Sequence, residues 1–282
     1  MGRPLAWLDV FTTTPMAGNA LAVVHEADEL DDAVMLAFAR ETNLSETTFV
    51  QTATVEGADY RNRIWMPGAE LDFAGHPSLG TAVAVAHARG EREASYVQQT
   101  RAGLQPVDVR FEGDIAVASM LQAPASFGDE ADAGEVMAAA RLGADAADPD
   151  LPCRFVSTGL LHLVAPVRDA ALLGEAAPDA DRMTALLASV GATVLYLAAV
   201  DGERADARGF FVQDGTVRED PATGSAAGPL MAHVHDHTGA RELRIAQGVA
   251  MGRPSEIECA MADGRVRVGG SVVVLAVGEI AI

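Results

Sequence analysis

The sequence contains no lysine: all twenty of its basic side chains are arginine. That absence excludes a pyridoxal-phosphate Schiff base, a lysine-dependent aldolase and a P-loop lysine. Cysteine is nearly absent too. Cys153 and Cys259 alone make neither a disulfide framework nor a four-cysteine zinc site, and both read as ordinary buried residues. No charged-then-apolar leader is visible at Met1–Pro15, and the longest late apolar run, Val272–Val277, is far too short to span a bilayer. These features predict a soluble, cytoplasmic protein. Positive charge is scarce: 40 acidic groups face 20 basic ones, for a net charge of -20. Phosphates and an anionic membrane surface would be repelled, so neither is an expected partner.

The composition is that of a globular chain, with 49% apolar and 21% charged residues. At 282 residues it is near the size where single cores split in two. Leu5–Phe11 and Asn19–Val24 read as strands. Asp31 and Asp32 suit the start of a helix over Ala33–Glu41. Thr47–Thr54 and Tyr60–Met66 read as a hairpin around Gly57. The run Ser78–Arg89 reads as a helix apolar almost all round, with Pro77 at its start and Gly90 at its stop, and so buried in a domain. Residues 123–152 are rich in Pro, Ala and Asp, with a helix over Ala131–Leu142, and the domain boundary is placed near 121–125. Beyond it, Leu161–Val167, Thr193–Val200 and Ala207–Gln213 read as strands, Arg182–Val190 and Ala226–His237 as helices. Short strands Arg244–Ala246, Glu256–Ala260, Val266–Val268 and Val272–Val277 follow.

The halves share an order. A strand carrying Arg63-Ile64-Trp65 or Arg208-Gly209-Phe210 leads through a loop to a glycine turn, Gly75-His76 or Gly224-Ser225, which opens an Ala-rich helix. The pattern implies two similar α/β domains related by duplication. Helices alternate with hairpins, so a purely parallel sheet is not expected.

A glycine turn opening a helix points free N–H groups at one spot, where the helix dipole favours an anion. Gly75-His76 and Gly224-Ser225 are two such turns; the alternative is that they only let the helices pack closely. Glu46 is either a general base or a capping residue. Asp220 is either a reactive carboxylate or a turn-former. His76, at a helix start, has its pKa lowered by the dipole and can relay a proton; otherwise it is a cap. His233 and His237 share a helix face at metal-binding spacing, but no Glu follows His233, and a solvated helix end is the favoured reading. No metal site is assigned. Ser78 and Ser225 lack a nucleophile-elbow frame, and no Gly-x-Gly-x-x-Gly follows a strand.

Four longer motifs together resemble one family. They are Asp9-Val10-Phe11 with Gly18-Asn19-Ala20-Leu21-Ala22-Val23-Val24, then Asn43-Leu44-Ser45-Glu46-Thr47. Glu70-Leu71-Asp72-Phe73-Ala74-Gly75-His76-Pro77 and Asp220-Pro221-Ala222-Thr223-Gly224-Ser225-Ala226-Ala227-Gly228 complete the set. Ser157-Thr158-Gly159, Gln247-Gly248 and Gly252-Arg253-Pro254 also fit. In this order they resemble the PhzF-like isomerases of phenazine biosynthesis.

The resemblance implies a mixed α/β, diaminopimelate-epimerase-like fold: two similar domains, each a mostly antiparallel sheet wrapped around a central helix. The N-terminal domain is expected over residues 1–122, completed by a returning strand at about 272–282, and the C-terminal domain over 123–271. It implies an active site in the interdomain cleft, no cofactor and no metal, a small carboxylate substrate and a homodimer. Glu46 would move the proton, and His76 and Asp220 would assist. Asn19, Gly75, Gly224 and Ser225 would bind the substrate. The related racemases carry a cysteine before each helix-opening glycine, where this chain has Ala74 and Thr223, so two-thiol racemisation is not expected. A non-catalytic binding protein on the same fold is the alternative, and a serine hydrolase a distant third.

Overall fold

The computed structural model describes residues 2–282; the leader reading of Met1–Pro15 begins at residue 1, outside the described residues. The chain forms two compact units, Met1–Met120 with Gly269–Ile282, and Leu121–Val268. The fold is mixed α/β.

In the first unit the strands are β1 (Arg3–Val10), β2 (Asn19–Val24), β3 (Glu46–Gln51), β4 (Tyr60–Trp65), β5 (Glu70–Leu71), β6 (Glu93–Thr100), β7 (Gly103–Glu112) and β8 (Ile115–Leu121). The helices are α1 (Asp32–Thr42) and α2 (Gly75–Arg89). β1 pairs β2 antiparallel, β2 pairs β3 parallel, and β3 pairs β4 antiparallel. β4 then pairs β5 antiparallel and β6 parallel, and β6 pairs β7 antiparallel.

The second unit contains β9 (Ser126–Glu130), α3 (Ala133–Ala139), β10 (Arg154–Ser157), β11 (Leu161–Pro166), α4 (Ala170–Glu175) and α5 (Ala180–Ala188). It continues through β12 (Leu195–Asp201), β13 (Arg204–Gln213), β14 (Thr216–Asp220), α6 (Gly224–Thr238), β15 (Glu242–Gln247) and β16 (Ser255–Ala262). From β10 onward the pairings run antiparallel, parallel, antiparallel, antiparallel, parallel, antiparallel. That is the order found from β1 to β7 in the first unit.

Each unit wraps its sheet around one small-residue helix. Every residue of α2 from Gly75 to Ala86 is buried, and α6 is buried from Ala226 to Val234. Alanine and glycine are needed there because the strands approach closely. A Cβ on Gly80 would sit 2.5 Å from Leu21 Cδ2 and 2.9 Å from Val10 Cγ2. An arginine–glutamate pair ties the strand before each of these helices to the next: Arg63 to Glu70, and Arg208 to Glu219.

Several sequence-based expectations shift. α2 begins at Gly75, not Ser78, because Ala74 is the last extended residue; Pro77, in the first turn, loses no helix hydrogen bond. The two late strands at Val266–Val268 and Val272–Val277 are one strand, β17 (Arg265–Ile280). Gly269 and Gly270 look like a break in the sequence. At Gly269, glycine instead allows close approach, since a Cβ would lie 2.7 Å from the Ala118 carbonyl. β6 and β14 escape the sequence reading because they are polar, weakly alternating runs, although each pairs its chain neighbour as a hairpin strand, β6 with β7 and β14 with β13.

Candidate functional site

Asp31, Asp132, Asp169 and Asp179 cap α1, α3, α4 and α5, each accepting a hydrogen bond from a first-turn N–H. α2 and α6 differ: their N-cap residues are Ala74 and Thr223, and neither makes a side-chain cap bond. The chain caps its other α-helices with aspartate and leaves these two openings without an acidic cap. An aspartate there would occupy the N–H groups and repel an anion.

At the first opening three sequence-predicted residues meet. Asn19 starts β2, Glu46 starts β3, and His76 is the second residue of α2. The parallel register of β2 and β3 places Glu46 beside Leu21. Asn19 Nδ2 lies 3.2 Å from His76 Nδ1. Glu46 Oε2 lies 3.5 Å from the same nitrogen. Burial pushes the His76 pKa down to about 3, opposed only in part by the backbone of Ala20. The imidazole is therefore neutral at ordinary pH, and its contact with Glu46 is not an ion pair. A neutral ring beside a carboxyl group can take or return a proton. The capping alternative for Glu46 falls away, because no helix begins there. For His76 it falls away because Ala74 is the N-cap.

In the second unit Asp220 ends β14, ahead of the opening of α6. The Thr223 hydroxyl donates to Asp220 Oδ2 at 2.7 Å, so its one proton is committed to that carboxylate. Gln247 holds the turn from the side. Its Nε2 donates to the Asp220 carbonyl at 2.8 Å and to Thr223 Oγ1 at 2.9 Å. Its Oε1 accepts from the Thr223 N–H at 3.1 Å and from the Tyr196 hydroxyl at 2.9 Å. Gly248 is left-handed at φ 73, and a Cβ there would strike the carbonyls of Arg253 and Pro221 at 2.4 and 2.5 Å. Ser225 is half-buried, while Gly224, Ala226 and Ala227 beside it are buried.

Tyr196 and the role of Gln247 were missed at the level of sequence. Gln247-Gly248 stood out only as part of a motif, and Tyr196 lies in an apolar strand with no local mark. His233 departs from the solvated reading. It is fully buried, its Nε2 is 2.9 Å from the Pro152 carbonyl, and its ring packs 4.5 Å from that of His237. Among the described residues, no group of three His, Cys, Asp or Glu side chains could hold a metal ion, and no helix is long and apolar enough to cross a membrane.

A family model described as phenazine biosynthesis-like protein, PhzC-PhzF, matches residues 8–278. The chain belongs to the PhzC-PhzF family. Among its PhzC-PhzF relatives, the trans-2,3-dihydro-3-hydroxyanthranilate isomerase of Pseudomonas aeruginosa is 34% identical over 89% of this chain and 87% of its own. The enzyme of the same name from Pseudomonas chlororaphis is 35% identical over 92% of this chain and 90% of its own. A solved structure described as a predicted epimerase from Pseudomonas aeruginosa is 37% identical over 99% of both chains, with a TM-score of 0.88. A hydroxyproline epimerase from Agrobacterium vitis, 11% identical over 100% of this chain and 93% of its own, shares the fold at a TM-score of 0.68.

Proposed function

We propose that this PhzC-PhzF protein is a cofactor-independent isomerase that moves a proton within a small, cyclic, carboxylate-bearing molecule. The names of its isomerase relatives point to the class of ring-bearing amino and hydroxy acids. Glu46 is the acid/base group: its carboxylate takes a proton from a carbon of the substrate, holds it as the carboxylic acid, and returns it to another carbon. The composition of the molecule is unchanged, as an isomerisation requires. His76, neutral and fixed by Asn19, is the relay beside it. The openings of α2 at Gly75 and of α6 at Gly224-Ser225 bind anionic oxygen, and Asp220 assists as a carboxylate held by Thr223.

The observation that carries this reading is the 3.5 Å approach of Glu46 to His76 at a buried helix opening without an acidic cap. The test is deuterium incorporation from D2O into a panel of small cyclic and amino-acid carboxylates. Exchange into one compound by the wild type should fall about 10²- to 10⁴-fold in Glu46→Gln, the usual worth of a positioned acid/base. Full exchange by the Gln variant would remove Glu46 from the chemistry.

A further inference from the structure

The hydrogen bonds around Gln247 have a fixed direction. The Thr223 peptide N–H can only donate, so the atom it meets at 3.1 Å is the amide oxygen of Gln247. The Asp220 carbonyl can only accept, so the atom 2.8 Å from it is the amide nitrogen. These two backbone contacts fix the orientation of the side chain. The Tyr196 hydroxyl adds a second donor to Oε1 at 2.9 Å. Nε2 spends its other proton on Thr223 Oγ1 at 2.9 Å. A hydroxyl that accepts from Nε2 turns its own proton elsewhere, and the acceptor there is Asp220 Oδ2 at 2.7 Å. Threonine at an N-cap ordinarily turns its oxygen to a first-turn N–H of its own helix, and Thr223 does not.

The chain makes room for this arrangement at one residue. A Cβ on Gly209 would lie 2.6 Å from Thr223 Oγ1, 3.2 Å from Gln247 Nε2 and 3.4 Å from Tyr196 Cδ2. The first unit carries Ile64 between Arg63 and Trp65, where the second carries Gly209 between Arg208 and Phe210, and its helix opening has Ala74 in place of Thr223. The duplicated halves therefore differ at the two places the network needs. Gln247 is 1% exposed and Tyr196 is fully buried, so water does not compete for these bonds.

We propose that Gln247, oriented by Tyr196, is a positioning residue for Asp220: it acts through the Thr223 hydroxyl and sets the direction in which the carboxylate is presented. The use of that carboxylate in a reaction rests on the function proposed above, and the network itself does not.

The test is a double-mutant cycle of Gln247→Leu and Asp220→Ala, read by urea unfolding without substrate. The two side chains share no direct bond on this reading and communicate through Thr223. Asp220→Ala should therefore raise the unfolding constant roughly tenfold less in Gln247→Leu than in the wild type. In a Thr223→Val background the two effects should add. Additivity in the wild type, or coupling that survives Thr223→Val, would overturn the proposal. Tyr196→Phe covers the case in which Gln247→Leu does not fold. It should lower the cost of Asp220→Ala in the same direction, and an unchanged cost would overturn the proposal.

Positioning is read separately from crystal structures of the variants. The Asp220 carboxylate should leave its wild-type rotamer in Gln247→Leu and Thr223→Val and keep it in Thr223→Ser, which retains the hydroxyl. An unmoved carboxylate in Gln247→Leu would overturn the positioning. Neither measurement uses a substrate, so both are independent of whether Glu46 proves to be the acid/base group. Deuterium exchange that falls in Glu46→Gln and is unchanged in Gln247→Leu would overturn the positioning and leave the proposed function standing.

Discussion

Gly228 sits inside α6, where helix propensity alone favours alanine. Replacing an interior glycine with alanine stabilises a helix by about 1 kcal/mol. The packing argues for the opposite sign. A Cβ on Gly228 would fall 1.8 Å from Gln122 Oε1, 2.8 Å from Gln122 Cδ and 2.9 Å from Thr158 Oγ1. Gln122 would have to leave. Its departure removes the bond to the Gly224 carbonyl at 3.0 Å and the one from Thr158 Oγ1 at 2.5 Å. Two buried hydrogen bonds at about 1 kcal/mol each, plus about 1–3 kcal/mol for polar groups left unpaired, outweigh the propensity gain. The net expectation for Gly228→Ala is a loss of about 2–4 kcal/mol, or a fall of about 3–7 °C in Tm. Scanning calorimetry and urea titration both measure it. In a Gln122→Ala background most of the penalty should vanish, because the clashing group is gone. A rise in stability of about 1 kcal/mol in the wild-type background would refute the reasoning and leave propensity as the ruling effect.

Other substitutions test other parts of the structure. Arg208 donates to the carbonyls of Leu173 at 2.6 Å and Ala176 at 2.9 Å while forking onto Glu219. A lysine cannot reproduce that fork, so Arg208→Lys should lower the urea midpoint by the equivalent of about 2–4 kcal/mol, and an unchanged midpoint would count against it. Burial lowers the pKa of His76 from 6.5 to about 3, and those of His162 and His233 to about 4. The unfolded chain thus binds more protons below pH 6.5, so stability is full above that pH and is lost as pH falls toward 4. The slope is on the order of 1 kcal/mol per pH unit for each histidine, and equal unfolding free energies at about pH 7 and about pH 5.5 would contradict it. Ala74→Ser supplies the cap that α2 lacks. Stability should rise by about 0.5–1 kcal/mol while benzoate binding weakens, since both compete for the same N–H groups; stronger binding would argue against an anion site there.

Much of this protein was legible in one dimension. The absence of lysine removed whole reaction classes before any fold was considered. The helix-opening glycines, Asp31 as a cap, Gly90 as a stop and the Ala-rich runs over α2 and α6 are local signals, decided by backbone freedom and by which side chains can donate or accept within one turn. Glu46, His76 and Asp220 were legible as members of ordered motifs. On residue type alone, each had an equally good role as a cap or turn-former.

Tertiary structure decided between those roles. Glu46 meets His76 because parallel pairing of β2 with β3 brings together residues distant in sequence, a register no local pattern specifies. The neutrality of His76 depends on burial, which the sequence suggests but cannot fix. Tyr196, Gln122 and His162 carry no local mark at all. Their hydrogen bonds reach 31 to 102 residues along the chain, to groups whose need for a partner exists only once they are buried. The sequence alone determined which chemistry the protein can carry. The fold determined which of its polar groups are left facing a ligand, because only burial makes an unpaired donor or acceptor costly.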